Sequence, residues 1–327
     1  MNTCLDVFKN LYIEGNSENL AISPCCISPV QSVASIDFYS NDYLNKIREK
    51  WMEGKFPSEC SSCEKYEKEN KPSRRIGSNS WYIDHKIFDS KVELLRIDYW
   101  TGDLCNLRCA ICGPKFSSAW KQELGLPINE RKTIRNDSWK NLDLTKIKYI
   151  HFNGGEPLLS KEHEKLLESI TNKCQVHLFY NTNATIRPTN NLLDLWSEFR
   201  LVQIDFSIDD IGDRFNYQRY PAIWEAVVSN LFYFKEKCPI NCMFGVNTSL
   251  GILNYNNYNN LLDWFKNNFY MNRVSDLVEY KTQFTHGILS IENYTERKVA
   301  IKSYLDKLDL RRSTNWQKTF PELVQIL

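Results

Sequence analysis

Three cysteines in one short stretch, Cys105-Asn-Leu-Arg-Cys109-Ala-Ile-Cys112, are the residues of this sequence best suited to chemistry. Three thiolates on one loop wrap three corners of an iron–sulfur cubane and leave the fourth iron without a protein ligand. Ordinary four-cysteine electron-transfer clusters use all four corners. A closed zinc site also wants four ligands, and no fourth Cys or His lies nearby. The open corner is a place for an exchangeable ligand. Further along, Lys146-Ile-Lys-Tyr-Ile-His-Phe-Asn reads as a strand ending in Gly154-Gly155-Glu156-Pro157. Glycines let a ligand approach the backbone closely, and Glu156 is placed to accept from an ammonium group.

A second group of thiols lies nearer the N-terminus. Cys60-Ser-Ser-Cys63 is preceded by Trp51, Gly54 and Pro57, and Leu20-Ala-Ile-Ser-Pro24-Cys25-Cys26 reads as a strand ending in a proline-ordered turn. With Cys4 further back, Cys4, Cys25, Cys60 and Cys63 supply four thiolates, enough to close a cubane or a zinc site. Neighbouring side chains on an extended segment point to opposite sides, so one of Cys25 and Cys26 ligates. Spacing alone does not separate zinc from iron here.

Composition narrows the setting. The chain has 327 residues, 42% of them hydrophobic, with 41 basic against 40 acidic side chains. That balance gives no global field for nucleic acid or membrane. No run of about 18 apolar residues is present to span a bilayer, and the N-terminal stretch with Asp6, Lys9 and Glu14 lacks a signal-peptide core. A soluble, cytoplasmic protein with no membrane partner is expected. Eleven cysteines in such a chain point to metal binding or redox chemistry rather than disulfides. Cys174, Cys238 and Cys242 lie before or at strand starts and read as buried structural thiols.

The elements that must position these residues alternate. Strands are expected at Leu94–Asp98, Lys146–Asn153, Gln175–Tyr180, Leu201–Ile208, Met243–Ser249 and Leu277–Phe284. Helical patterns intervene at Lys161–Thr171, Leu192–Glu198, Ala222–Lys237 and Tyr258–Asn268, and a last one covers Thr295–Leu308. This is an α/β sequence built of βα units around a parallel sheet. Polar residues gather at strand ends: Asn181 and Asn183, then Ser207 and Asp209, with Arg219 following. His286 ends the last strand. Lys71, Arg74 and Arg75 form a basic run that reads as a solvated face.

The C-x3-C-x2-C loop followed by Gly-Gly-Glu-Pro resembles the radical S-adenosylmethionine (SAM) superfamily. The resemblance implies a partial (β/α)6 TIM-like barrel with function at the C-terminal strand ends. It also implies a [4Fe–4S] cluster on Cys105, Cys109 and Cys112, with SAM chelating the open iron. Glu156 and the Gly154–Gly155 backbone would then hold the SAM amino group. One electron from the reduced cluster splits the sulfonium C–S bond, and the 5′-deoxyadenosyl radical abstracts a substrate hydrogen. Ser207 and Asp209 match the family's Ser-x-Asp motif and imply contacts to SAM ribose or carboxylate. Asn183 is a further cofactor contact, and Arg219 resembles an arginine that pairs the carboxylate. The residue before the third cysteine is usually aromatic in the family and is Ile111 here, which puts the adenine contact in doubt.

The N-terminal order of Cys, Pro-Cys, Trp, Gly-x-x-Pro and Cys-x2-Cys resembles the twitch or SPASM auxiliary-cluster module, placed here before the barrel rather than after it. The pattern favours Cys25 over Cys26 and a second [4Fe–4S] cluster on Cys4, Cys25, Cys60 and Cys63, with zinc as the rival. Leu20 replaces the glycine usual before the Pro-Cys strand. Without Cys4 as a ligand this cluster would keep an iron open to substrate. The organisation expected is an auxiliary module over 1–88, the barrel over 89–290 and a helical extension over 291–327, where 288–293 and Phe320-Pro-Glu-Leu also look typical of that group.

The function implied is hydrogen abstraction from a peptide, protein or small metabolite, with an electron donor such as flavodoxin or ferredoxin. The catalytic residue that meets substrate is not legible. A nucleic-acid base is an alternative substrate, compatible with the basic run and with Trp81, Tyr82, Tyr99 and Trp100, but near-zero net charge argues against it. A non-catalytic iron–sulfur or zinc scaffold is the third reading.

Overall fold

A computed structural model describes residues 3–15, 20–128, 139, 141–269, 278–281 and 294–327. His286 and residues 288–293 lie outside that set. The chain divides into two compact units. The first comprises Met1–Gly102, Glu130–Tyr180 and Leu195–Val202, and the second Asp103–Asn129, Asn181–Asp194 and Gln203–Leu327.

Among the described residues there are nine strands: β1 (Asn10–Gly15), β2 (Leu20–Ser23), β3 (Gln31–Val33), β4 (Arg96–Trp100), β5 (Tyr149–Asn153), β6 (His177–Thr182), β7 (Leu201–Ser207), β8 (Cys242–Ser249) and β9 (Val278–Lys281). From β4 onward, helices Glu162–Ser169, Asn190–Ser197, Trp224–Lys237 and Tyr258–Asn268 fall between them, followed by Tyr294–Arg312. Six strands from β4 to β9 alternating with helices form the α/β class and parallel sheet that the sequence pattern leads one to expect. Boundaries differ from the expected ones by a residue or two at most ends, as fraying termini do.

In the first unit the order is β3-β2-β1-β4-β5-β6. β1 runs antiparallel to β2 and parallel to β4, with Leu11 opposite Ile97, and β4–β5 and β5–β6 are parallel. β1 therefore adds a parallel strand beside β4, and β2 and β3 continue the sheet in antiparallel sense. One face carries Leu11, Ile13, Ile97, Ile150, Phe152, Leu178 and Tyr180, all buried. Trp196 packs against Tyr180 there (5.3 Å between ring centroids), and His163 against Phe152 (5.0 Å). The opposite face carries Asn10, Arg96, Asp98 and His151, and the helix Arg74–Asp84 lies over it. Trp81 of that helix and Tyr149 of β5 stack on the Arg96 guanidinium at 4.4 and 4.5 Å, the geometry of a cation held on ring faces. In the second unit β8 and β9 are parallel, and Val246 faces Val278.

The His163 Nδ1–H donates to the Ser160 carbonyl (2.6 Å), and burial pushes the ring's pKa down to about 4. The unfolded chain takes up this proton near pH 6.5, so below that pH the unfolded state binds more protons and stability is lost as pH falls towards 4. Moving from pH 7 to pH 5 should cost about 2 kcal/mol at this site. Urea midpoints at the two pH values should differ less for His163→Gln than for the unaltered protein; equal differences would contradict this account.

Among the described residues, no helix is long and apolar enough to cross a membrane.

Candidate functional site

The three-cysteine loop follows β4, in the second unit, and many of its backbone groups are tied down. The Cys105 N–H donates to Ser118 Oγ (3.1 Å), and Ser118 donates back to the Cys105 carbonyl (3.2 Å). Ser117 donates to the Leu107 carbonyl (2.6 Å), and the Trp120 indole to the Cys109 carbonyl (3.0 Å). The Arg108 and Ala110 N–H groups donate to the carbonyls of Tyr220 and Gln218, both at 2.7 Å. Two contacts come from the last long helix: Tyr304 donates to the Ala110 carbonyl (2.6 Å) and Arg312 to the Arg108 carbonyl (2.5 Å). These bonds hold the backbone that carries the three thiols. Burial pushes Cys109 up to about 12, so a metal that binds there must displace its proton.

Around this loop the structure gathers three of the residues singled out from the sequence. Asn183 Nδ2 lies 4.0 Å from Cys105 Sγ and 3.1 Å from Asn106 Oδ1. Arg219 and Asp209 form a buried ion pair, Nε to Oδ2 at 2.8 Å. Burial opposes the Arg219 charge, but Asp209 and then Cys109 hold its pKa above the ordinary value. Asp209 also accepts the Ser249 N–H (2.9 Å), so one carboxylate ties the end of β7 to the end of β8. Ser207, the last residue of β7, is half-buried.

In the first unit, the Gly154–Gly155 turn follows β5 and closes on the end of β4. The Gly155 N–H donates to the Gly102 carbonyl (2.8 Å). Gly154 has φ +129°, and a Cβ there would stand 2.6 Å from the Gly102 carbonyl oxygen. Both the dihedral and the contact demand glycine. Gly154→Ala should cost about 3 kcal/mol, while Gly113→Ala, where a Cβ meets nothing within 4 Å, should cost little. Equal urea midpoints for the two variants would contradict this. Glu156 is buried and caps the next turn, its Oε1 accepting the Leu158 N–H (3.1 Å).

The N-terminal thiols meet in the first unit. Cys4, Cys25, Cys60 and Cys63 all line one recess of about 380 Å³, open solvent included, together with Asp6, Trp51, Arg74 and Arg75. The helix Asp42–Met52, capped by Asn41, buries Leu44, Ile47, Arg48 and Trp51 on one stripe and so delivers Trp51 to the recess. Cys25 is buried and Cys26 exposed, in the turn that follows β2 and is closed by the Ser28 N–H donating to the Cys25 carbonyl (3.2 Å). Burial raises Cys4, and Asp6, Cys25 and Cys60 raise it further. Burial likewise lifts Cys60 to about 11, with the nearby Trp51 indole working the other way. Among the described residues no three His, Cys, Asp or Glu side chains are gathered to hold a single metal ion; the four thiols are spread around the recess wall.

Residues 101–263 match the model of the radical SAM superfamily. The chain carries a radical SAM enzyme domain. No curated protein matches the chain. Among solved structures it is similar to anSMEcpe with bound AdoMet, at 16% identity and TM-score 0.42, covering 58% of this chain and 51% of that one. It is also similar to Streptococcus suis SuiB bound to precursor peptide SuiA, at 13% identity and TM-score 0.42, covering 85% and 64%. The chain thus spans about half the length of anSMEcpe.

A radical SAM domain uses a [4Fe–4S] cluster and SAM, and the loop's donor set of three thiols, a nearby amide and a buried guanidinium suits an anionic cluster. The N-terminal recess suits one too: two buried donors in its lining, Trp51 Nε1 beside the Cys60 thiol and Arg74 Nε, make no hydrogen bond of full geometry.

The basic run corrects the sequence reading. Arg74 reaches Asp98 (3.2 Å) and Asp6 (3.7 Å), and Arg75 pairs with Glu67 (2.5 Å) and lies over Phe56. Only Lys71 of the three is solvated. Spacing carries no sign of this, because both carboxylates that hold Arg74 come from elsewhere in the chain. Cys174 is exposed rather than buried, in the short turn Lys173–Gln175 before β6, whereas Cys242 is buried as expected.

Proposed function

We propose that the protein abstracts hydrogen from a peptide, protein side chain or small metabolite, using one cluster that cleaves SAM and a second that assists. Cys105, Cys109 and Cys112 ligate three irons of the first. The Gly154–Gly155 backbone and Glu156 receive the SAM amino group, and Asn183, Ser207, Asp209 and Arg219 complete the cofactor contacts. Cys4, Cys25, Cys60 and Cys63 ligate the second cluster. The working division is an auxiliary module over 1–88, the barrel over 89–290 and a helical extension over 291–327. Flavodoxin or ferredoxin is the proposed source of the electron.

The observation that carries this reading is the pinned cysteine loop. Its backbone is hydrogen-bonded by Ser117, Ser118, Trp120, Gln218, Tyr220, Tyr304 and Arg312, which holds the segment that carries the three thiols. When bound, the cluster and SAM supply the radical chemistry. The chain's own residues fix the ligands, bury the Asp209–Arg219 pair beside Cys109 and set a turn at Gly154 that admits no side chain. The test is anaerobic incubation of reduced protein with SAM. Formation of 5′-deoxyadenosine supports the reading, and none from protein with full iron content would overturn it.

A further inference from the structure

Two donors in the lining of the N-terminal recess ask for an acceptor. Trp51 is 4% exposed, its ring packed against Phe56 at 4.6 Å between centroids and clustered with Cys4 and Cys60. Its buried Nε1 makes no hydrogen bond of full geometry, although it lies close enough to the Cys60 thiol to lower that thiol's pKa, and Arg74 Nε has no partner either. Arg74 is fixed by its neighbours all the same. Nη2 is 3.2 Å from Asp98 Oδ2, while Nε stands 3.7 Å from Asp6 Oδ2, too far for a hydrogen bond. Asp98 is itself held by Asn10 Nδ2 (3.2 Å) and His151 Nδ1 (3.2 Å). A buried donor left unmade costs about 1–3 kcal/mol, and here two of them border the recess that the four thiols line. Sulfur is the acceptor such a site can acquire, as thiolate or as bridging sulfide. Hydrogen bonds to cluster sulfur stabilise the more negative, reduced state and so raise the potential.

We infer that the Trp51 indole N–H and the Arg74 Nε–H donate hydrogen bonds to the sulfur atoms of the auxiliary cluster and hold its reduction potential up. The inference rests on the reading that Cys4, Cys25, Cys60 and Cys63 bind an iron–sulfur cluster. Arg74 acts in a second way, because its charge offsets Asp6 and Asp98. Arg74→Gln removes bond and charge together, whereas Arg74→Lys keeps the charge and loses the Nε–H.

The experiment is a redox titration followed by electron paramagnetic resonance, on the full chain with Cys105, Cys109 and Cys112 replaced by alanine, so that the auxiliary cluster is read alone. Trp51→Phe and Arg74→Lys should keep full iron and sulfide and each shift the reduction equilibrium at least tenfold towards the oxidised form, which is 59 mV for one electron. Arg74→Gln should shift it further, and Lys71→Ala should not move it. Wild-type midpoints in both Trp51→Phe and Arg74→Lys, with iron intact, would overturn the inference. Should Trp51→Phe shed its iron, Arg74→Lys decides alone by the same criterion. Zinc in place of iron before any variant is made would overturn the cluster reading, and this inference with it; the metal count keeps that failure separate from an unchanged potential.

Discussion

Alanine at any one of Cys105, Cys109 and Cys112 should abolish formation of 5′-deoxyadenosine from SAM, a fall of more than about a hundredfold. The loop offers three thiols and no substitute: no other Cys or His lies within it. Losing one leaves two irons of the cubane without protein ligands, and the cluster is not retained. Folding should survive, since most of the bonds that hold the loop run through carbonyls, amides and the Ser118 and Trp120 side chains, and the one backbone bond to Cys105 Sγ, from the Leu107 N–H, is long at 3.4 Å. Near-unchanged circular dichroism with no 5′-deoxyadenosine is the expected pair of results. Cleavage retained in any single variant would break the ligand assignment.

The second large effect concerns metal content. Cys60→Ala with Cys63→Ala should lower iron from about eight to about four per chain and leave SAM cleavage in place, because the three loop thiols belong to a different segment. Both cysteines lie on a short turn and the start of the helix Ser61–Lys68, beside Trp51 and Arg75. Full iron in the double variant would mean that the recess holds no cluster. A zinc ion there would require the four sulfurs to close to about 2.3 Å around one centre, and its loss would leave the iron count unchanged.

Cysteine spacing marks both candidate sites in the amino-acid sequence: three thiols on one short loop, and a Cys-x2-Cys pair with further cysteines upstream. The order of β4 to β9 is legible because buried strands are short apolar runs and the helices between them carry one apolar stripe. At Gly154 a motif glycine is enforced by a backbone contact, with Gly102. What the sequence hides depends on long-range partners. The β1–β4 pairing joins residues far apart in the chain. Tyr304 reaches Ala110 across 194 positions. Arg74 reads as surface charge until Asp6 and Asp98 are brought to it. Arg219 offers a motif but no sign that Asp209 is its partner.

Counting iron, sulfide and zinc per chain after anaerobic reconstitution tests the central claim most directly. The account predicts about eight irons, an equal amount of sulfide and no zinc. About four irons with one zinc would contradict it, removing the auxiliary cluster while leaving the radical SAM domain in place.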